Sequence, residues 1–393
     1  MSLSVSERMS RVMPSATSAV LGLAAELREA GRDVVSLGAG EPDFDTPDHI
    51  KEAAIQAIRD GHTKYTAIDG TSQLKGAIQR KFERDNQLSY EADQILVSVG
   101  AKHTLFNACM GILSAGDEAI IPAPYWVFYP DMVRVAEGRP VIIETGIEDG
   151  FKVTPEKLSA AITAKTRLLF LNSPSNPTGS CYTRQELAAL GEVLLQHPNI
   201  VVLADDIYEH IHWADEPFCS IVTACPALYD QVVTINGVSK CYAMTGWRVG
   251  YAGGPREVIK AMKTIQSQIT SNPCSVSQVA AAAALDGDQQ CMADMLQAYK
   301  ARSDYIVAAL NDIPGFECRE GEGAFYAFPK VTEAMAAKGL ETDADLVKLV
   351  LESGDVVMVP GTPFGAPGYV RLSFACSIEE LQKAVERIRA ALV

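Results

Sequence analysis

The sequence predicts an α/β fold organised around a mainly parallel central sheet, and three observations lead there. Six short apolar runs lie between residues 95 and 252 of the 393-residue chain. They are mostly continuous rather than alternating, as expected for strands buried on both faces. Segments with helical spacing and marked ends separate them, the order that builds crossover connections.

Taken in order, Thr46-Pro47 opens a run through Ile50, Ala54, Ala57 and Ile58 that stops at Gly61. Thr as N-cap and Pro in the first turn predict a helix there. Ile95 to Val99 and Ala119 to Ile121 read as the first two strands. Thr154-Pro155 repeats the helix start ahead of Leu158 and Ile162, and Leu168 to Leu171 is the next strand. Thr183-x-x-Glu186 is a capping box leading towards the strand Ile200 to Leu203. Val232 to Ile235 and Val249 to Ala252 complete the set. A second capping box, Ser377-x-x-Glu380, starts a last helix with Leu381, Val385, Ile388 and Leu392 on one face. In such sheets ligands collect at the carboxyl ends of the strands.

Composition excludes several function classes. A net charge of -15 gives no electrostatic basis for binding nucleic acid or anionic lipid. No apolar run nears the roughly 18 residues that span a bilayer; Val279 to Leu285 is among the longest. The amino terminus lacks the basic and hydrophobic blocks of a secretory signal, so a cytoplasmic protein is expected. Nine cysteines without a Cys-x-x-Cys pair fit reduced core thiols better than disulfides or zinc. If the substrate is a carboxylate, the site must be a positive pocket in a negative molecule.

The chemistry-bearing residues sit largely after the strands. Ser239-Lys240-Cys-Tyr-Ala-Met-Thr-Gly246-Trp247-Arg248-Val-Gly250 places a lysine and an arginine eight residues apart in a glycine-marked loop. A lysine amine condenses with aldehydes, and a guanidinium offers fixed donors to a phosphate. Gly100-Ala101-Lys102 joins a strand to a helical pattern, either a plain tight turn or a phosphate seat at a helix N-terminus. Trp126, in Pro124-Tyr125-Trp126, is either core or a ring that lies on a flat ligand. Asn176, in Asn172-Ser-Pro174-Ser-Asn176-Pro177-Thr178-Gly179, is either part of a turn or an amide donor. Asp205-Asp206-Ile207-Tyr208 ends a strand with acids that could equally cap a helix. Arg371 stands opposite Val370, Leu372 and Phe374 in an alternating run and suits a carboxylate. Gly38-Ala39-Gly40-Glu41-Pro42 lacks the spacing of a dinucleotide fingerprint.

These motifs, in this order, resemble the class I (fold type I) pyridoxal-phosphate aminotransferases, most closely the bacterial aspartate aminotransferase branch. The resemblance runs from Pro14-Ser-Ala-Thr17 to Arg371. It implies a large cofactor-binding domain, residues 45–287, and a smaller α/β domain made of residues 1–44 and 288–393. Pyridoxal 5'-phosphate would be carried on Lys240. Its phosphate would be held by Gly100, Ala101, Lys102, Ser239 and Arg248, with Trp126 against its ring. Asp205 would pair with its ring nitrogen, and Asn176 and Tyr208 with its ring oxygen. Arg371 and Gly40, with Trp126 and Asn176, would bind the substrate. Tyr65 would reach the phosphate of a neighbouring subunit, which implies a homodimer with shared sites. The implied reaction moves an amino group between an L-amino acid, aspartate or glutamate first, and a 2-oxo acid by a ping-pong scheme. Aromatic, aliphatic or prephenate aminotransfer is the alternative, and a carbon-sulfur lyase a further one. Met13 stands where relatives that grip a distal carboxylate often carry lysine, so either another cation replaces it, Arg11 and Lys64 being the candidates, or the substrate side chain is aromatic or aliphatic.

Overall fold

A computed structural model of the chain describes residues 4–14 and 16–392. Pro14-Ser-Ala-Thr17 therefore falls partly outside the described residues. Among the described residues twelve strands run in chain order: β1 (Val35–Ser36), β2 (Ile95–Ser98), β3 (Glu118–Pro122), β4 (Arg139–Ile143), β5 (Thr166–Asn172), β6 (Val201–Asp205), β7 (Val232–Gly237), β8 (Gly250–Gly253), β9 (Tyr326–Ala327), β10 (Val356–Val357), β11 (Val359–Pro360) and β12 (Val370–Ser373). Seven of them form the central sheet in the order β2-β8-β7-β6-β5-β3-β4. Only β8 runs against the rest, antiparallel to both β2 and β7, so the mainly parallel expectation holds. β4, absent from the sequence reading, forms the edge beside β3. Its pattern is half-exposed, as an edge allows, so it lacks the continuous apolar run of its neighbours.

The register places the strand ends side by side. Asn172 of β5 pairs with Asp205 of β6, which pairs with Ile235 of β7. Helices cover both faces, and the sheet strands contribute fully buried Leu96, Val97, Ile120, Leu168, Val202, Leu203 and Val233. The alanine-rich helix Ser275–Asp286 packs on helix Asp48–Arg59, with Ala280, Ala281 and Ala284 fully buried. Small side chains let these two backbones approach.

A second core gathers Val35 and Leu37 with Tyr299, Ile306, Phe325, Leu346, Val350, Leu372 and Ile388. β1 pairs in parallel with β10, so residues near the amino terminus are stitched to the carboxyl-terminal third of the chain. A three-stranded antiparallel sheet, β11-β12-β9, carries Arg371.

The helix starts match with one correction. Thr154 and Thr183 accept the expected backbone hydrogen bonds, the latter in a full capping box. Ser377 accepts from the Glu380 amide. Thr46 does not cap its helix: Pro47 is the N-cap, and the Thr46 hydroxyl donates to the Ala243 carbonyl at 2.7 Å. The hydroxyl is drawn across to the lysine loop, where the Trp247 indole also donates to it. All nine cysteines are free, and among the described residues no helix is long and apolar enough to cross a membrane.

Candidate active site

The carboxyl ends of β2, β5, β6 and β7 converge on one cavity of about 360 Å³, closed from the other side by Gly40, Tyr326 and Arg371. Asp205 is the last residue of β6, and Lys240 stands three residues past β7. Of the residues singled out from sequence, Gly40, Ala101, Lys102, Trp126, Asn176, Asp205, Tyr208, Ser239, Lys240, Arg248 and Arg371 line this cavity. Gly100 lies directly behind Arg248. Tyr65 does not line the cavity; it is 91% exposed.

The Lys240 amine donates to the Gly40 carbonyl and lies 6.0 Å from the Tyr208 ring centre. Burial lowers its pKa to about 8; Arg371 and Arg248 push the same way, while Glu41 opposes them. With its pKa at about 8, roughly a tenth of such a lysine is free amine at pH 7, far more than for an ordinary lysine.

Asp205 is 5% exposed, and its Oδ2 accepts from the Tyr129 hydroxyl at 2.6 Å. Its Oδ1 is buried without a partner among the described residues. Burial raises its pKa to about 6, against the pull of the Tyr129 hydrogen bond. An orphaned carboxylate oxygen facing a cavity is a seat for a cation or an N–H donor.

The anion end is built from backbone. Gly100 has φ +83°, and a Cβ there would stand 2.4 Å from Arg248 Nη2. A Cβ on Gly250 would strike the Ala101 amide nitrogen at 2.1 Å. Glycine at both positions lets Arg248, itself left-handed with φ +56°, press against the N-terminus of helix Ala101–Ile112. Backbone amides and a guanidinium then share one corner, a ready phosphate cradle. The Lys102 amine sits over the Phe128 ring, with Trp126 5.5 Å away. Its pKa falls to about 8 through burial and the neighbouring Arg248.

Arg371 is 2% exposed and reaches Asn176 Oδ1 at 3.1 Å and the Gly38 carbonyl at 2.8 Å. Its plane lies over Tyr326 and Phe364, and its Nε has no partner among the described residues. A buried guanidinium with no carboxylate beside it is prepared for one from outside. The Tyr208 and Tyr326 hydroxyls hydrogen-bond at 2.8 Å.

Several cavity residues were given no role from sequence, Tyr129, Asn172, Tyr326 and Glu41 among them. Tyr129 lies three residues past Trp126 at a helix start, a spacing that places both rings together. Asn172 holds the Asp205 carbonyl through Nδ2 and the Asn176 amide through Oδ1. Its own strand-end position was the available signal. Tyr326 touches Gly40, where a Cβ would meet its hydroxyl at 2.9 Å, and Glu41 accepts from Thr245. Neither carried a local signal, because their neighbours come from distant parts of the chain.

The cavity fits pyridoxal phosphate. A reactive amine, a phosphate cradle and a free carboxylate oxygen answer that molecule's aldehyde, phosphate and ring nitrogen.

Comparison with known proteins gives the same answer. The profile of the family described as Aminotransferase class I and II matches residues 32–388. The aspartate/prephenate aminotransferase of Nitrosomonas europaea is 52% identical over 396 residues, covering 99% of this chain and 100% of that protein. The aspartate aminotransferase of Rhizobium meliloti is 50% identical, covering 97% of this chain and 95% of the relative. A crystal structure of the aspartate aminotransferase from Rhizobium meliloti superposes with TM-score 0.96 at 47% identity, over 100% of this chain and 99% of the other. The Thermus thermophilus aspartate aminotransferase with maleate gives 0.93 at 42%, over 99% and 100%.

Proposed function

Because the chain belongs to the class I and II aminotransferases, which work with pyridoxal phosphate, we propose that it exchanges amino groups between L-aspartate and 2-oxoglutarate. The observation that carries this reading is the cavity itself, in which Lys240, Asp205, Arg248 and Arg371 face one volume of about 360 Å³.

Bound pyridoxal phosphate would supply an aldehyde for the substrate amine and a ring that takes up the electrons left when Cα loses its proton. Lys240 would hold the cofactor through its aldehyde, and its amine, when free, is placed to remove the substrate Cα proton. The same amine returns a proton later in the half-reaction, so one group is both base and acid. Asp205 would keep the ring nitrogen cationic through its free Oδ1. Asn176 and Tyr208 would hold the ring oxygen, with Trp126 against the ring. The amides of Gly100, Ala101 and Lys102, with Ser239 and Arg248, would hold the phosphate. Arg371 binds the substrate α-carboxylate, aided by the Gly40 backbone.

Lys102 is the cavity cation left over once these roles are filled. It therefore takes the distal carboxylate. Met13 is exposed, and neither it nor Arg11 nor Lys64 lines the cavity of this chain. The aromatic wall of Trp126 and Phe128 beside Lys102 favours a second substrate of the prephenate kind, which carries a ring as well as a further carboxylate. A relative's name includes that activity.

Homodimerisation is part of the proposal, supported by Tyr65, a tyrosine left 91% exposed. So are the division of the chain at residues 44 and 287, supported by its separate cores, and a cytoplasmic location, supported by nine free cysteines. The test is a half-reaction. L-aspartate added to the loaded enzyme without any oxo acid should convert the lysine-held cofactor's absorbance to that of its amine form and release oxaloacetate. No change with aspartate but conversion by aromatic amino acids would move the substrate. Release of ammonia and pyruvate from a cysteine conjugate, with no amine form of the cofactor left behind, would point to a lyase instead.

A further inference from the structure

One buried cluster of charges lies outside the cavity and is not used by the reaction as described. Lys81, Asn86, Glu209 and Asn236 are all 5% exposed or less. Glu209 pairs with the Lys81 ammonium, accepts from Asn236 Nδ2 at 2.8 Å through Oε1, and accepts from Asn86 Nδ2 at 2.7 Å through Oε2. Lys81 also donates to Asn86 Oδ1 at 2.6 Å. His210 Nε2 lies 3.2 Å from Glu209 and 3.3 Å from Asp85. Asp85, Glu209 and His210 have the spacing of metal ligands, but the Lys81 ammonium already supplies the cation there.

A fully buried ion pair adds little net stability over a well-packed apolar pair, so its stability alone does not explain it. Its position in the chain offers a role. Glu209 directly follows Tyr208, and Asn236 precedes Lys240 by four residues. Backbone pairing between these two segments reaches as far as the Asp206 amide on the Ile235 carbonyl, at 2.9 Å. Beyond it, the Glu209–Asn236 hydrogen bond ties the loop bearing Tyr208 to the end of β7, the strand that leads into Lys240. Asn236 Oδ1 also accepts from the Gly237 amide at 2.7 Å, at the last residue of β7 before the lysine loop.

We propose that Glu209 is a positioning residue for amino transfer: held by Lys81 and Asn86, its carboxylate grips Asn236 and fixes Lys240 relative to Asp205 and Tyr208. The proposal rests on Lys240 being the base. Glu209 touches neither substrate nor cofactor and acts only through Asn236. A misplacement of about 1 Å of a reacting group can cost about a hundredfold in rate, so a loosened lysine loop should show first in turnover.

The discriminating variant is Asn236→Ala, which removes the grip and leaves the Lys81–Glu209 pair whole. In the loaded enzyme, kcat with aspartate should fall about tenfold while KM stays within about twofold, because Arg371 is untouched. The pH titration of the lysine-held cofactor's absorbance should move by about half a unit, since Lys240 would stand differently among Glu41, Arg248, Arg371 and Asp205. Should this variant not fold, Glu209→Leu combined with Lys81→Met removes the acceptor of the same grip without leaving Lys81 as an unpaired buried charge, and the same readouts apply. Wild-type kcat and titration in either variant, with or without a lowered thermal midpoint, would overturn the proposal and leave the cluster purely structural. Lys240→Ala separates the two levels: if it keeps turning over, the assignment of the base fails first.

Discussion

Asp205 stores a burial cost that its ligand should relieve, and Asp205→Asn measures it. Its pKa rises from 3.8 to about 6, chiefly because burial opposes the charge. Below pH 3.8 folded and unfolded chains both carry the neutral acid, and no cost exists. Above about pH 6 the folded, cofactor-free protein holds an anion that burial opposes, at about 3 kcal/mol. At pH 4.5 the cost is only about 1 kcal/mol by the same linkage. Asn keeps an acceptor for Tyr129 and cannot ionise. The cofactor-free variant should therefore be more stable than wild type by up to about 3 kcal/mol at pH 8, the gap shrinking to about 1 kcal/mol at pH 4.5. With pyridoxal phosphate bound the order should reverse, because the wild-type carboxylate then faces a cation and the amide does not. Equilibrium chemical denaturation at the two pH values, with and without cofactor, reads all four stabilities. A cofactor-free variant no more stable than wild type at pH 8, or a gap independent of pH, would refute the reasoning.

Four further outcomes follow from the site. Lys240→Ala should abolish turnover while the protein still binds cofactor, checked by equilibrium dialysis beside a steady-state assay; normal activity would remove Lys240 from its role. Arg371→Lys loses the planar fork and should lower kcat/KM for every amino acid about tenfold to a hundredfold, with little change in cofactor affinity. Gly100→Ala puts a methyl 2.4 Å from Arg248 at φ +83°, and should weaken cofactor binding about tenfold or more by fluorescence titration. Lys102→Met should raise KM for aspartate at least about tenfold while sparing monocarboxylic aromatic donors, and equal losses on both would move the distal carboxylate elsewhere.

The parts legible in the sequence were those whose signal is local. β2, β5, β6 and β7 are continuous apolar runs because both faces are covered, and their carboxyl ends carry Asp205, Asn176 and Lys240 within a few residues. Thr183 and Thr154 announce their helices through their own backbone. What stayed hidden depends on partners far along the chain. Tyr326 meets Gly40 and Tyr208 only after the β1–β10 pairing brings the amino-terminal segment beside the carboxyl-terminal third. Glu209 looks like one acid in an acidic stretch until Lys81, 128 positions earlier, is packed against it. Thr46 shows the same effect in reverse, since a local rule named it a cap and a contact with Ala243 took its hydroxyl away.

The charge of the molecule illustrates how far such locality reaches. The net charge of -15 gives the chain a global field that repels the dicarboxylate proposed as its substrate. At physiological salt that field fades over about 8 Å, so the distant surface acids count for little at the cavity. Within the cavity Lys102, Lys240, Arg248 and Arg371 stand against Glu41 and Asp205 alone among the charged residues lining it. The low-dielectric walls lengthen the reach of those four cations while screening shortens that of the surface. Specificity for anions is thus set by which side chains the fold removes from water, and net charge carries no information about it.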